Sequence, residues 1–143
     1  MSRILRRIRD GLSIPQNRLL LLFGLEGMLI QFVMSLGGAN SFATNVYATN
    51  MGATDSQLGM IPLVSNLAAV TLLLPAGILA DRAKNPKTLP VAILLILSVM
   101  YIFHGTVPSM GEYRMVFFFI TIALTAGLLA TYNGVWQAFF GDV

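Results

Sequence analysis

The sequence predicts an all-α membrane protein: a multi-pass chain of four transmembrane helices with both termini in the cytoplasm. Three observations carry this prediction. Hydrophobic residues make up 56% of the 143 positions and charged residues only 10%, against roughly 25% charged residues in soluble domains. Nine Lys+Arg and six Asp+Glu are too few to cover the surface of a soluble chain of this length. The charges are also clumped. Charge-free stretches run over 56–80, 88–111 and 115–141, and a further one, 19–54, is interrupted only by Glu26. Each reaches the roughly 20 apolar residues needed to cross a hydrocarbon core of about 30 Å. Backbone groups in lipid must pair within their own segment, so such stretches are helices.

The third observation is charge asymmetry. Arg3, Arg6, Arg7, Arg9 and Arg18 precede the first apolar stretch, and Arg82, Lys84 and Lys87 lie between the second and third. Only Arg114 falls in a connection on the opposite side. The positive-inside rule therefore places both termini and the 82–87 loop in the cytoplasm, and the expected location is the plasma membrane. The net charge of +3 thus reports topology, and no nucleic-acid partner is expected. The chain has no cysteine and one histidine, which excludes disulfide frameworks, thiol catalysis and a histidine metal cluster supplied by this chain. No G-x-x-x-x-G-K-[ST] phosphate loop is present. An enzyme is not expected, nor a cofactor or metal.

Residues 1–18 form a basic leader. Ile4, Leu5, Ile8 and Leu12 share one helical face and the arginines lie largely off it, so the leader reads either as an interfacial helix on an anionic leaflet or as a solvated tail. It is not read as part of a signal peptide, whose apolar region runs only about 7–15 residues. The remainder, 19–143, carries spans at about 19–48, 56–81, 88–107 and 112–139. The first span starts with Leu19-Leu20-Leu21-Leu22-Phe23 and turns polar in its second half. At 100° per residue, Gly24, Gly27, Gln31, Ser35, Gly38, Asn45 and Thr49 fall on one stripe. Such a stripe faces other helices or a water-filled cavity.

The second span opens with the capping-box spacing Thr54-x-x-Gln57. Pro62 and Pro75 lie inside it as expected kinks, and Ser65 and Asn66 add polarity at mid-depth. The third span is nearly uniform in Leu, Ile and Val, the pattern of a lipid-facing helix, with His104 near its outer end. The fourth carries Ala126, Ala130, Gly134 and Ala138 at every fourth position, which predicts a close helix–helix contact. Trp136 and Tyr113 fall where aromatic belts are expected.

The connection after the second span reads Gly77-Ile78-Leu79-Ala80-Asp81-Arg82-Ala83-Lys84-Asn85-Pro86-Lys87. It resembles the helix 2–3 signature of the major facilitator superfamily, G-x-x-x-D-[RK]-x-G-[RK]-[RK]. Gly77, Asp81 and Arg82 match. Lys84 stands where the family has its second Gly, and Lys87 supplies a displaced base. The ending Trp136-Gln137-Ala138-Phe139-Phe140-Gly141-Asp142-Val143 is similar to the inner end of that family's fourth helix. The specific part of the resemblance covers about ten residues.

The resemblance implies secondary transport of a small solute by alternating access, with proton or sodium as coupling ion. It implies about twelve helices in two six-helix halves built from three-helix repeats. On that footing this chain is an amino-terminal fragment holding helices one to four, and it is not expected to transport alone. Gly77, Asp81, Arg82, Lys84, Lys87 and Asp142 then form a cytoplasmic gate, with Arg82 pairing with Asp142. The bland alternative is positive-inside anchoring with Asp81 as a counter-ion.

Glu26 is the only ionisable residue deep inside a span. It lies eight residues past Arg18, about 12 Å along a helix. A carboxyl group there is a functional candidate by default. It projects away from the Gly24–Gln31–Ser35 stripe, toward a different neighbour. The other candidates for substrate or proton contact are Gln31, Asn45 and Asn66. Two further readings stay open on the sequence alone: a complete four-helix transporter working as a homo-oligomer, and a non-transporting assembly subunit whose docking face is the small-residue stripe of the fourth span. The partners common to these readings are the lipid bilayer and further helices.

Overall fold

A computed structural model describes residues 15–82 and 88–141. It is all-helical, with no strand among the described residues. The elements are α1 (Pro15–Gly37), α2 (Phe42–Asn50), α3 (Asp55–Arg82), α4 (Thr88–Thr106), a 3-10 segment (Val107–Tyr113) and α5 (Arg114–Gly141). Three stretches are long and apolar enough to cross a membrane: Asn17–Asn50, Asp55–Arg82 and Thr88–Gln137.

The first stretch corrects the expectation of one helix over 19–48: it is two helices joined at a corner. α1 starts at Pro15, inside the stretch assigned to the leader, because the fixed φ of proline suits a first helical turn. It stops at Gly37. Ser41 then caps α2 from an extended conformation (φ −78°, ψ 149°), its hydroxyl accepting from the Thr44 amide at 3.0 Å. The Thr44 hydroxyl donates to the Gly38 carbonyl at 2.8 Å and accepts from Ser41 Oγ at 3.0 Å. A chain corner among apolar helices must satisfy its own polar groups, and Ser41 and Thr44 do so here. A side chain at Gly38 would collide with the Met34 carbonyl, and one at Gly37 would come within 2.8 Å of the Tyr101 ring.

α2 closes through Gly52 (φ +87°), and α3 begins at the expected capping box. The Thr54 amide donates to Gln57 Oε1 at 2.9 Å, and the Gln57 amide donates to Thr54 Oγ1 at 3.3 Å. α3 runs unbroken through Pro62 and Pro75 for 28 residues, about 42 Å at helical rise. The third stretch is interrupted at the 3-10 segment. Gly111 sits there at φ 60°, ψ −126°, a conformation open to glycine. The Thr106 and Ser109 hydroxyls donate to the Phe103 and Thr106 carbonyls at 2.7 and 2.6 Å.

α5 is the centre of the fold and packs on both α3 and α4. Phe118, Thr121, Ile122, Thr125, Leu129 and Tyr132 are all buried along it. One core cluster joins Ala48 and Met51 of the α2 end, Ile61 of α3, Val107, Phe118 and Ile122. A second, toward the other end of α5, joins Ile93, Tyr132 and Val135. α4 is not purely outward-facing as expected: Pro90, Ile93 and Leu97 pack inward, while Val91, Leu95, Val99 and Ile102 are exposed. A helix with apolar side chains on both faces has exactly this split available, one face to its neighbour and one to lipid.

The close contact of α5 also differs in register from the expected stripe. The tightest approach is at Gly127, where a Cβ would collide with the Leu72 side chain and stand 3.1 Å from the Ala68 carbonyl oxygen. Gly134 repeats it one heptad on, with Leu73 Cδ1 at 2.9 Å from a would-be Cβ. Gly134 thus keeps its expected role, while Ala126 and Ala130 have another one.

Candidate functional site

Ala126 and Ala130 line a cavity of about 580 Å³ between α1, α3 and α5. Their small side chains leave space where larger ones would close the gap. Asn133 continues the same face of α5 at the spacing i, i+4, i+7 and also lines the cavity. α1 contributes Gln31, Ser35 and Gly38, three members of the polar stripe that 100° periodicity placed on one face. α3 contributes Ser65 and Asn66. Of the seven residues of the predicted stripe, Gln31, Ser35 and Gly38 line this cavity.

Most helix hydroxyls in this fold are satisfied by their own helix. Ser35, Thr71, Ser98 and Thr125 each donate to the carbonyl four residues back, at 2.7–2.9 Å. Ser65 does not. It is 3% exposed, and its Oγ has no hydrogen-bond partner among the described residues. An unpaired buried hydroxyl is costly, and among the described residues Ser65 is the buried side chain that carries this cost.

Glu26 lies outside this cavity and meets a different partner, as its direction on the helix requires. The Tyr132 hydroxyl of α5 donates to Glu26 Oε1. Tyr132 is 2% exposed and lies nearly parallel to Trp136 at a centroid distance of 5.9 Å. Trp136 in turn meets Phe23 edge-on at 5.7 Å. Phe23 and Glu26 are i, i+3 on α1, and Tyr132 and Trp136 are i, i+4 on α5, so each pair shares one helix face. The contact is a polar bond shielded by an aromatic stack. The Glu26 carboxyl has a hydrogen-bond donor from within the chain, rather than depending on a further helix.

A second polar cluster sits near the 3-10 segment. His104 Nδ1 lies 2.7 Å from Thr121 Oγ1, and the Tyr47 hydroxyl donates to the His104 carbonyl at 2.7 Å. The Thr121 hydroxyl donates to the Phe117 carbonyl at 2.9 Å. The Tyr47 and His104 rings are 5.1 Å apart, and both pack on Phe118. This ties α2 and α4 to α5.

The remaining sequence candidates are spread out. Asn45 is exposed on α2 and does not line the cavity. Gly77, Asp81 and Arg82 are exposed at the end of α3, and a Cβ at Gly77 would meet nothing within 4 Å. Arg82 in the last turn complements the helix dipole. Lys84, Lys87 and Asp142 lie outside the described residues, and so does the expected Arg82–Asp142 pair. Sequence reasoning missed Tyr132 and Asn133. For Asn133 a signal existed, the polar residue closing the 126–130–133 face. For Tyr132 none did, because its partner is 106 residues away. No family model, no curated protein and no solved structure matches the chain.

Proposed function

We propose that the chain crosses the membrane four times, with both termini and the 82–87 loop in the cytoplasm, and forms part of a secondary transporter of the major facilitator type. On this reading it corresponds to the first four helices of the amino-terminal bundle of a transporter that moves a small solute by alternating access across the plasma membrane, and it does not transport alone. The observation that carries the proposal is the cavity. Gln31, Ser65, Asn66 and Asn133 converge on it from three different helices, in a chain whose other helix faces are strongly apolar. Polar groups at that depth are expensive unless they line a solute path. The break at Gly111, which separates α4 from α5, supports counting four spans. Asp81 and Arg82 at the exposed end of α3 support a gate in that position, and Glu26, tied to Tyr132, is the proton-coupling candidate.

Single-cysteine labelling in sealed membrane vesicles tests this without a known substrate, because the chain has no cysteine of its own. Thr54→Cys and Ser109→Cys are expected to label from outside with an impermeant maleimide, and Asn85→Cys only after permeabilisation. Gln31→Cys reports the cavity. With the chain in its full-length transporter, adding Asp81→Asn is expected to lower the outside labelling of Gln31→Cys several-fold while insertion is retained, because the gate no longer holds the outward-open state. An unchanged rate refutes the gating role of Asp81, and labelling of Asn85→Cys from outside refutes the topology.

A further inference from the structure

We propose that the cavity between α1, α3 and α5 binds an uncharged solute bearing hydroxyl or amide groups, and that Ser65 is one of its hydrogen-bonding contacts. The proposal rests on the transport reading above and names the chemical class that reading leaves open. The cavity volume of about 580 Å³ falls in the range of roughly 300–1,000 Å³ typical of small-molecule sites. Its wall is mainly apolar, with a few polar groups directed at one space, as such sites require.

The chemistry of those polar groups selects the ligand. Gln31, Asn66 and Asn133 carry amides, each with a donor NH₂ and an acceptor carbonyl. Ser65 adds a hydroxyl that is buried and unpaired. It departs from the back-bonding seen at Ser35, Thr71 and Ser98, so its proton and both lone pairs remain available to a ligand. Among the described residues no Asp, Glu, Lys, Arg or His lines the cavity. Glu26 points elsewhere and is held by Tyr132. A cation or anion in this space gains no counter-charge from the described wall, so the wall does nothing to offset its desolvation. A solute whose groups both donate and accept satisfies amides and a hydroxyl without that penalty.

The test uses Ser65→Cys as the only thiol of the full chain in native membranes. Three methanethiosulfonates of similar size are compared: uncharged hydroxyethyl, cationic trimethylammonioethyl and anionic sulfonatoethyl. Ser109→Cys, exposed in the 3-10 segment, normalises their intrinsic rates. Ser98→Cys, on the exposed apolar side of α4, reports entry through lipid. The reaction needs a thiolate, so Ser98→Cys is expected to stay unmodified. At Ser65→Cys the uncharged reagent is expected to react roughly tenfold faster than either charged one after normalisation. Asn66→Cys, on the same wall, is expected to show the same order, which covers the case that Ser65→Cys disturbs packing. Equal normalised rates for charged and uncharged reagents overturn the assignment of an uncharged ligand and leave the cavity reading standing. Modification of Ser98→Cys as fast as Ser65→Cys overturns it as well, since lipid entry then explains the preference. No modification at either wall position overturns the solute cavity itself.

Discussion

α1 and α5 meet at Glu26 and Tyr132, yet they are held in the fold by opposite means. α5 is buried along most of its length, and packs through glycines and back-bonded threonines against α3 and α4. In α1, Leu20, Leu22, Met28, Leu29 and Phe32 are all exposed, and its contacts with α5 include the Glu26–Tyr132 bond, the Phe23–Trp136 edge contact and Ile30 packed against the Tyr132 and Val135 cluster. The difference teaches that dispersion packing builds the centre of this fold, while a few specific polar and aromatic contacts set where the outer helix sits. In lipid that division is physical necessity. Apolar side chains gain little by leaving one apolar environment for another, so close backbone approach and interhelical hydrogen bonds decide association.

The comparison breaks most visibly at matched phenylalanines. Phe118 is fully buried and Phe32 is 64% exposed. Phe118→Ala is expected to cost about 2 kcal/mol through the cavity it leaves, and Phe32→Ala less than about 0.5 kcal/mol, by reversible unfolding in mixed micelles. A cost at Phe32 equal to that at Phe118 refutes the contrast. Matched glycines test the same contrast. Gly127→Val places a side chain against Leu72 and the Ala68 carbonyl, with an expected cost of about 1–3 kcal/mol. Gly27→Ala meets nothing within 4 Å and is expected to be neutral or stabilising, by up to about 1 kcal/mol.

The smallest expected effect sharpens the comparison at its boundary. Tyr132→Phe keeps the ring on Trp136 and removes the hydroxyl that donates to Glu26. Its expected cost is about 1 kcal/mol, together with a broader distribution of distances between spin labels on α1 and α5. A double-mutant cycle with Glu26→Gln isolates the pair. Zero coupling energy would mean that the aromatic stack alone positions α1.

How much of this was readable in advance varies with range along the chain. The capping box at Thr54 and Gln57 was readable, because both partners lie within one turn. The wall formed by Gln31, Ser35 and Gly38 was readable, because helical periodicity is local. The corner at Gly38–Ser41 was not, since an apolar run with two glycines and a serine is compatible with one long helix until Tyr101 and the α2 cap are placed beside it. The stripe of Ala126, Ala130, Gly134 and Ala138 predicts a helix contact; Ala126 and Ala130 line the cavity, the closest backbone approaches are at Gly127 and Gly134, and the side chain of Ala138 lies outside the described residues. Small residues permit either use, and the rotation of α5 about its axis decides between them.

The sequence by itself determined the helical class, the apolar stretches long enough to cross a membrane and the polar face of α1. These follow from composition, charge placement and a period of 3.6 residues, all of which are summed or repeated locally. Only the tertiary structure brings Glu26 to Tyr132, leaves Ser65 without a partner among the described residues, and sets Ala126, Ala130 and Asn133 along one cavity. Those outcomes depend on which helix faces which and at what rotation. That is settled by contacts such as Gly127 on Leu72, between residues that no local pattern connects.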